Sequence, residues 1–187
     1  MDITATFLNI NKIIERESKS STYKFALLRG VIDIVQDNSP YIQPNGDRME
    51  MPTGLMIEKW LLYYYPLLDA RDKIHQINDS TQLAFEPYLE QVIAYYRDHG
   101  GISAMYADLR FKGIPANILK TFQTLVKSLQ RTITQMPMRY IGQSIDNSSY
   151  YQLFQYTTGP RTKTRLRLDR EALILDCGNF SIPTAYY

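Results

Sequence analysis

Up to residue 137 the apolar residues recur mostly at helical spacing, and beyond it they fall into short runs. The segment TYKFALLRGVIDIV from Thr22 carries Phe25, Leu28, Val31, Ile32 and Val35 on one face, with Ala26, Leu27 and Ile34 widening the apolar surface. A helix apolar around most of its circumference is buried by several neighbours, so this segment is expected to be the central core helix. Ser20 and Ser21 precede it as candidate caps. Gly30 costs up to about 1 kcal/mol relative to Ala in a helix and suggests a close approach by another helix.

Other helices follow from the same periodicity. Phe7 to Arg16 is amphipathic, with Phe7, Ile10, Ile13 and Ile14 on one side. TGLMIEKWLLYYY, from Thr53 to Tyr65, predicts a second apolar helix with Thr53 as candidate N-cap and Pro66 near its end. Leu55, Trp60, Leu61 and Tyr64 are expected to pack on the core helix. Pro87 suits the first turn of a helix running to about Arg97 and stopped by Gly100-Gly101. Ser103 to Phe111 predicts a short helix. Ile118, Phe122, Leu125, Val126, Leu129 and Ile133 mark a longer one, from Ala116 to Thr134, ended by Pro137. Between the first two apolar helices, SPYIQPNGDRMEMP holds three prolines and an Asn-Gly turn signal, hence a loop with room for a short hairpin.

From Met138 the pattern changes. YYQLFQY (150–156), TRLRL (164–168) and ALILD (172–176) are expected to be strands of a small antiparallel sheet. Ser181 followed by Pro183 has the form of a helix start. The expected fold is therefore mainly α: a helical bundle over 1–137 and a small C-terminal antiparallel β-sheet in a 138–187 appendage (α+β). A helix opening this close to Tyr187 predicts a further C-terminal domain in a longer protein.

Composition adds few constraints. With 44% hydrophobic and 21% charged residues the chain is an ordinary globular sequence, and a formal charge of +2 does not select a partner. No run of about 18 apolar residues occurs, so no membrane-spanning helix is predicted. The N-terminus has neither a basic start nor a long apolar segment, and the lone Cys177 suits a reducing cytoplasm. The fifteen tyrosines, many in doublets or triplets, suit helices with one buried and one half-wet edge.

The strongest candidate chemistry is RTKTRLRL, from Arg161 to Leu168. On a strand, Arg161, Lys163, Arg165 and Arg167 share one face, a spacing suited to a phosphate backbone. The same pattern also describes a solvated edge strand on which charge opposes aggregation. Arg139, Tyr140 and Tyr150 are candidates to supplement it by stacking. His99 precedes Gly100 and suits a helix C-terminus better than acid–base work. His75 has no companion ligands, Cys177 follows an apolar run as a buried small residue, and the charges at Asp69, Arg71, Asp72 and Lys73 suit an exposed helix face. There is no P-loop or dinucleotide fingerprint, and no cofactor is expected in this chain.

Three stretches carry a resemblance: TYKFALLRGVIDIV at Thr22, MPTGLMIEKWLLYYYPLL at Met51 and GNFSIPTAYY at Gly178. They resemble the helical N-terminal region of bacterial HNH endonuclease-type proteins. The resemblance implies a non-catalytic domain preceding a nuclease domain, with DNA or that nuclease domain as partner. An HNH site needs a histidine-based ββα metal motif, and neither His75 nor His99 belongs to one, so no catalytic residue carries over. The alternative expectation is a protein-interaction or scaffolding module without a nucleic-acid role.

Overall fold

A computed structural model describes residues 3–16, 22–70, 82–142, 153–157, 159 and 168–187. The elements, in chain order, are α1 (Ile3–Arg16), α2 (Tyr23–Gln36), β1 (Gln43–Asn45), β2 (Arg48–Pro52), α3 (Thr53–Asp69), α4 (Glu86–Arg97) and α5 (Gly101–Ala107). A π-helical turn (Asp108–Lys112) continues α5, and α6 (Ala116–Gln135) and α7 (Pro137–Tyr140) follow. The remainder is β3 (Gln155–Tyr156), α8 (Arg170–Asp176), β4 (Asn179–Pro183) and a 3-10 turn (Thr184–Tyr186). The mainly α fold with a small antiparallel sheet is as expected.

The centre of the core is α3 rather than α2. Leu55, Met56, Ile57, Trp60, Leu61, Tyr64 and Tyr65 are all buried, and α3 packs against α2, α4, α6 and α8. Trp60 stacks on Tyr23 of α2 at 5.6 Å, and Phe85 closes the aromatic group edge-on to Tyr64 at 5.0 Å. α2 buries Tyr23, Ala26, Leu27, Gly30 and Ile34, whereas Phe25 and Ile32 of the expected face are exposed. The reason is steric. The side of α2 that meets α3 carries Gly30, where a Cβ would run into the Met56 sulfur, and Tyr23, which stacks on Trp60. Similarly, Ile13 of α1 is buried while Ile10 and Ile14 are exposed. Lys24 reaches from α2 to the Ile13 and Ile14 carbonyls, satisfying acceptors in the last turn of α1.

The expected Thr53 cap does not form. Ser20 and Ser21 lie outside the described residues, and Thr22 makes no cap but bonds the Tyr64 hydroxyl at 2.9 Å. Pro52 occupies the N-cap of α3, and the buried Thr53 hydroxyl has no partner. Instead, the Thr53 N–H donates to Gly178 O at 2.8 Å, joining the helix start to the sheet. Helices α4 and α6 follow their periodicity: Pro87 lies in the first turn of α4, and the six apolar positions expected on α6 are buried.

The four-stranded antiparallel sheet has the order β1-β2-β4-β3. β1 and β2 form the hairpin suggested by Asn-Gly. β2 then pairs with β4, Met51 opposite Phe180 and Met49 opposite Ile182, so the sheet draws strands from both sides of residue 137. Two expectations are corrected. ALILD is helical, because the Asp169 carboxylate accepts the Ala172 N–H at 3.0 Å and so caps α8. NFSIP is a strand, because Phe180 and Ile182 alternate with Asn179 and Ser181 and pack into the core. Of YYQLFQY, β3 covers Gln155–Tyr156, and residues 164–167 lie outside the described residues.

Candidate functional site

A charged residue inside an otherwise apolar helix needs a partner. Glu58 of α3 is 3% exposed, and its partners come from two distant segments. The Arg170 Nε, from the first turn of α8, donates to both Glu58 oxygens at 3.0 and 2.9 Å. The Arg110 Nε, from the π-helical turn, lies 3.9 Å from Glu58 Oε1, and the Arg110 guanidinium sits over the Tyr106 ring at 5.1 Å.

The local sequence sets this arrangement. The i→i+5 turn closes with the Gly113 N–H on Asp108 O at 2.6 Å and widens the helix where Arg110 projects. Asp169 fixes the start of α8 and therefore Arg170. Burial, the Glu58 charge and a hydrogen bond to Glu58 push the Tyr106 pKa up against the opposing effect of Arg110, so its hydroxyl stays protonated at neutral pH. For Arg170 burial opposes the charge, but hydrogen bonding and attraction to Glu58 outweigh it and raise its pKa.

These groups line a cavity of about 570 Å³ whose other walls include Ser39, Tyr41, Asp37 and Lys59. Lys59 bonds Asp37 at 2.7 Å, so both carboxylates lining the cavity are already paired. Among the described residues that line it, three cations face two anions. The arrangement suits binding an anion.

Arg161, Lys163, Arg165 and Arg167 lie outside the described residues, so their geometry is not part of this site. Their C-terminal flank is fixed: Leu168 O accepts the Ile114 N–H at 2.8 Å, and Arg170 follows two residues later. Arg139 lies over the Tyr140 ring at 5.7 Å, while Tyr150 and His75 lie outside the described residues. His99 occupies a helix end as expected, with Nδ1 2.6 Å from Tyr95 O and its ring stacked on Tyr95. Asp69 pairs with Arg97 at 2.8 Å, and Arg71, Asp72 and Lys73 lie outside the described residues. Burial pushes the Cys177 thiol up to about 12, as suits a packed small residue. Glu58, Tyr106, Arg110 and Arg170 were not singled out by sequence. The available signal was a glutamate within LMIEKWLL.

Among the described residues there is no group of three or more His, Cys, Asp or Glu placed to hold a metal ion. No helix among them is long and apolar enough to cross a membrane. No curated protein and no solved structure matches the chain. A family model matches residues 3–187, and the chain belongs to that family, the domain of unknown function DUF8808.

Proposed function

We propose that this chain is a non-catalytic N-terminal domain of a cytoplasmic HNH-type DNA endonuclease and that it contacts DNA. The observation carrying the reading is the cationic run Arg161, Lys163, Arg165 and Arg167, whose end is tied by Leu168 to Ile114, in the same stretch as Arg110 and Lys112. Cations clustered in a short run are the footprint of phosphate-backbone contact, whatever the total charge. The three stretches that carry the resemblance also support it. Two of them form α2 and α3, packed together, and the third contains β4, which pairs with β2 next to the Thr53–Gly178 link.

The test is fluorescence anisotropy of a labelled duplex across a salt series. Four phosphate contacts give a log–log salt slope of roughly −3 to −4, and R165E/R167E flattens it by about 2. Absence of binding at low salt overturns the DNA contact and leaves the family resemblance standing. One observation favours a second reading, a protein-interaction module: Phe25 and Ile32 of α2 are 48% and 56% exposed, and Leu8 and Ile14 of α1 are also exposed. Apolar surface of this kind marks partner contact when it is contiguous.

A further inference from the structure

We propose that the pocket formed by Glu58, Arg110 and Arg170 binds a phosphate monoester, a terminal dianionic phosphate. The pocket's ligand class is independent of whether the domain tracks duplex DNA.

The argument begins with how Glu58 is used. Arg170 engages both carboxylate oxygens through Nε, and among the described residues no hydrogen bond reaches its two terminal nitrogens. Arg110 approaches the same carboxylate through Nε and stacks on Tyr106, and among the described residues its terminal nitrogens also make no hydrogen bond. Both side chains line the cavity. A purely structural buried glutamate needs one arginine, and a well-packed apolar residue would often serve as well. The second guanidinium leaves the pocket with one cation more than the two carboxylates neutralise.

Guanidinium groups held in place by a buried carboxylate are prepaid in rotamer entropy and offer planar pairs of donors, the geometry that fits phosphate oxygens. A terminal phosphate supplies three acceptor oxygens and about −1.5 to −2 charges at neutral pH. A backbone diester supplies less charge and fewer free oxygens. Ser39 and Tyr41 add hydroxyls to the lining, and about 570 Å³ leaves space for a substituent beyond the phosphate. That substituent is either a free nucleotide or the 5′ end of a DNA strand, which share the same phosphate chemistry.

The experiment is isothermal titration of the full chain with inorganic phosphate, deoxyadenosine 5′-monophosphate, and one oligonucleotide with either a 5′-phosphate or a 5′-hydroxyl. R110Q retains the Glu58–Arg170 pair and tests the site, with a thermal melt to verify folding. The expected result is saturable binding of the monophosphate, weakened at least about tenfold in R110Q. If the source is a DNA end, the 5′-phosphorylated strand also binds at least about tenfold more tightly than the 5′-hydroxyl strand, and R110Q removes that difference. Absence of saturable binding by all phosphate-bearing probes, or binding that R110Q leaves unchanged, overturns the proposal. Equal binding of both oligonucleotides with a steep salt slope and no monophosphate binding overturns the pocket proposal alone. Monophosphate binding without duplex binding overturns only the DNA-tracking reading.

Discussion

Gly54 lies against the backbone of Leu173, so close that a Cβ at position 54 would collide with the Leu173 carbonyl oxygen. The contact seats α8 on the start of α3. A backbone carbonyl cannot rotate away, so Gly54→Ala is expected to destabilise the protein by about 3 kcal/mol, at the upper end of overpacking costs. Gly30→Ala offers a contrast. Its Cβ meets the flexible end of Met56, which can move, and alanine adds up to about 1 kcal/mol of helix preference. Urea unfolding followed by the fluorescence of Trp60, the single tryptophan, measures both; a larger loss at Gly30 would refute this ordering.

Glu58→Gln leaves two guanidinium groups around a neutral amide. Losing one member of a buried ion pair costs about 3 kcal/mol, and the same unfolding experiment reads it. Asp37→Asn breaks the Lys59 contact, but Asp37 is 58% exposed, so the expected loss is below about 1 kcal/mol. Equal losses at the two positions would mean that Glu58 is more hydrated than its burial indicates.

Thr53→Val is expected to raise stability by up to about 1 kcal/mol. The buried hydroxyl has no partner, valine keeps the branched shape, and the N–H bonded to Gly178 is unchanged. A loss on substitution would point to a water held by Thr53.

Burial pushes the Cys177 thiol up to about 12 and also raises Tyr63, Tyr64 and Tyr96 above the ordinary tyrosine range. The folded state therefore holds these protons more tightly than the unfolded chain, in which thiols titrate near about 8.5 and phenols near about 10. Their contribution to stability is complete below the unfolded values and declines as pH rises through them toward the folded values. Unfolding free energy should fall progressively above about pH 9. At pH 8, a thiol reagent should label native Cys177 more than about a hundredfold more slowly than in urea. Fast native labelling would contradict the buried placement.

The helices of the N-terminal two-thirds were legible because their periodicity is long: α4 and α6 follow Pro87 and the Ile118-to-Ile133 series closely. What periodicity did not give was which side of α2 faces inward. Large residues dominate an apolar face, yet the contact with α3 includes Gly30, where close approach matters more than side-chain area. ALILD has too few residues to separate a buried helix from a strand, and the deciding signal was Asp169. For NFSIP, the proline pattern concealed a two-residue alternation that becomes decisive only once β2 is opposite. The arginine pocket was illegible for a related reason: Glu58, Arg110 and Arg170 are far apart in sequence and no local spacing links them.

Pairing between β2 and β4 also sets a timetable for synthesis on the ribosome. Residues 48–52 leave the exit tunnel long before residues 179–183 are translated, so β2 must wait with one edge unpaired while α3 to α6 appear. Closing so long a loop adds an entropic cost that grows only logarithmically with its length, but the delay grows with every intervening codon. During that interval Met49 and Met51 lack their cross-strand neighbours Ile182 and Phe180, and the nascent chain offers an apolar strand edge to other molecules. Chaperones that bind nascent chains would therefore influence yield more for this topology than for a bundle closed by adjacent helices.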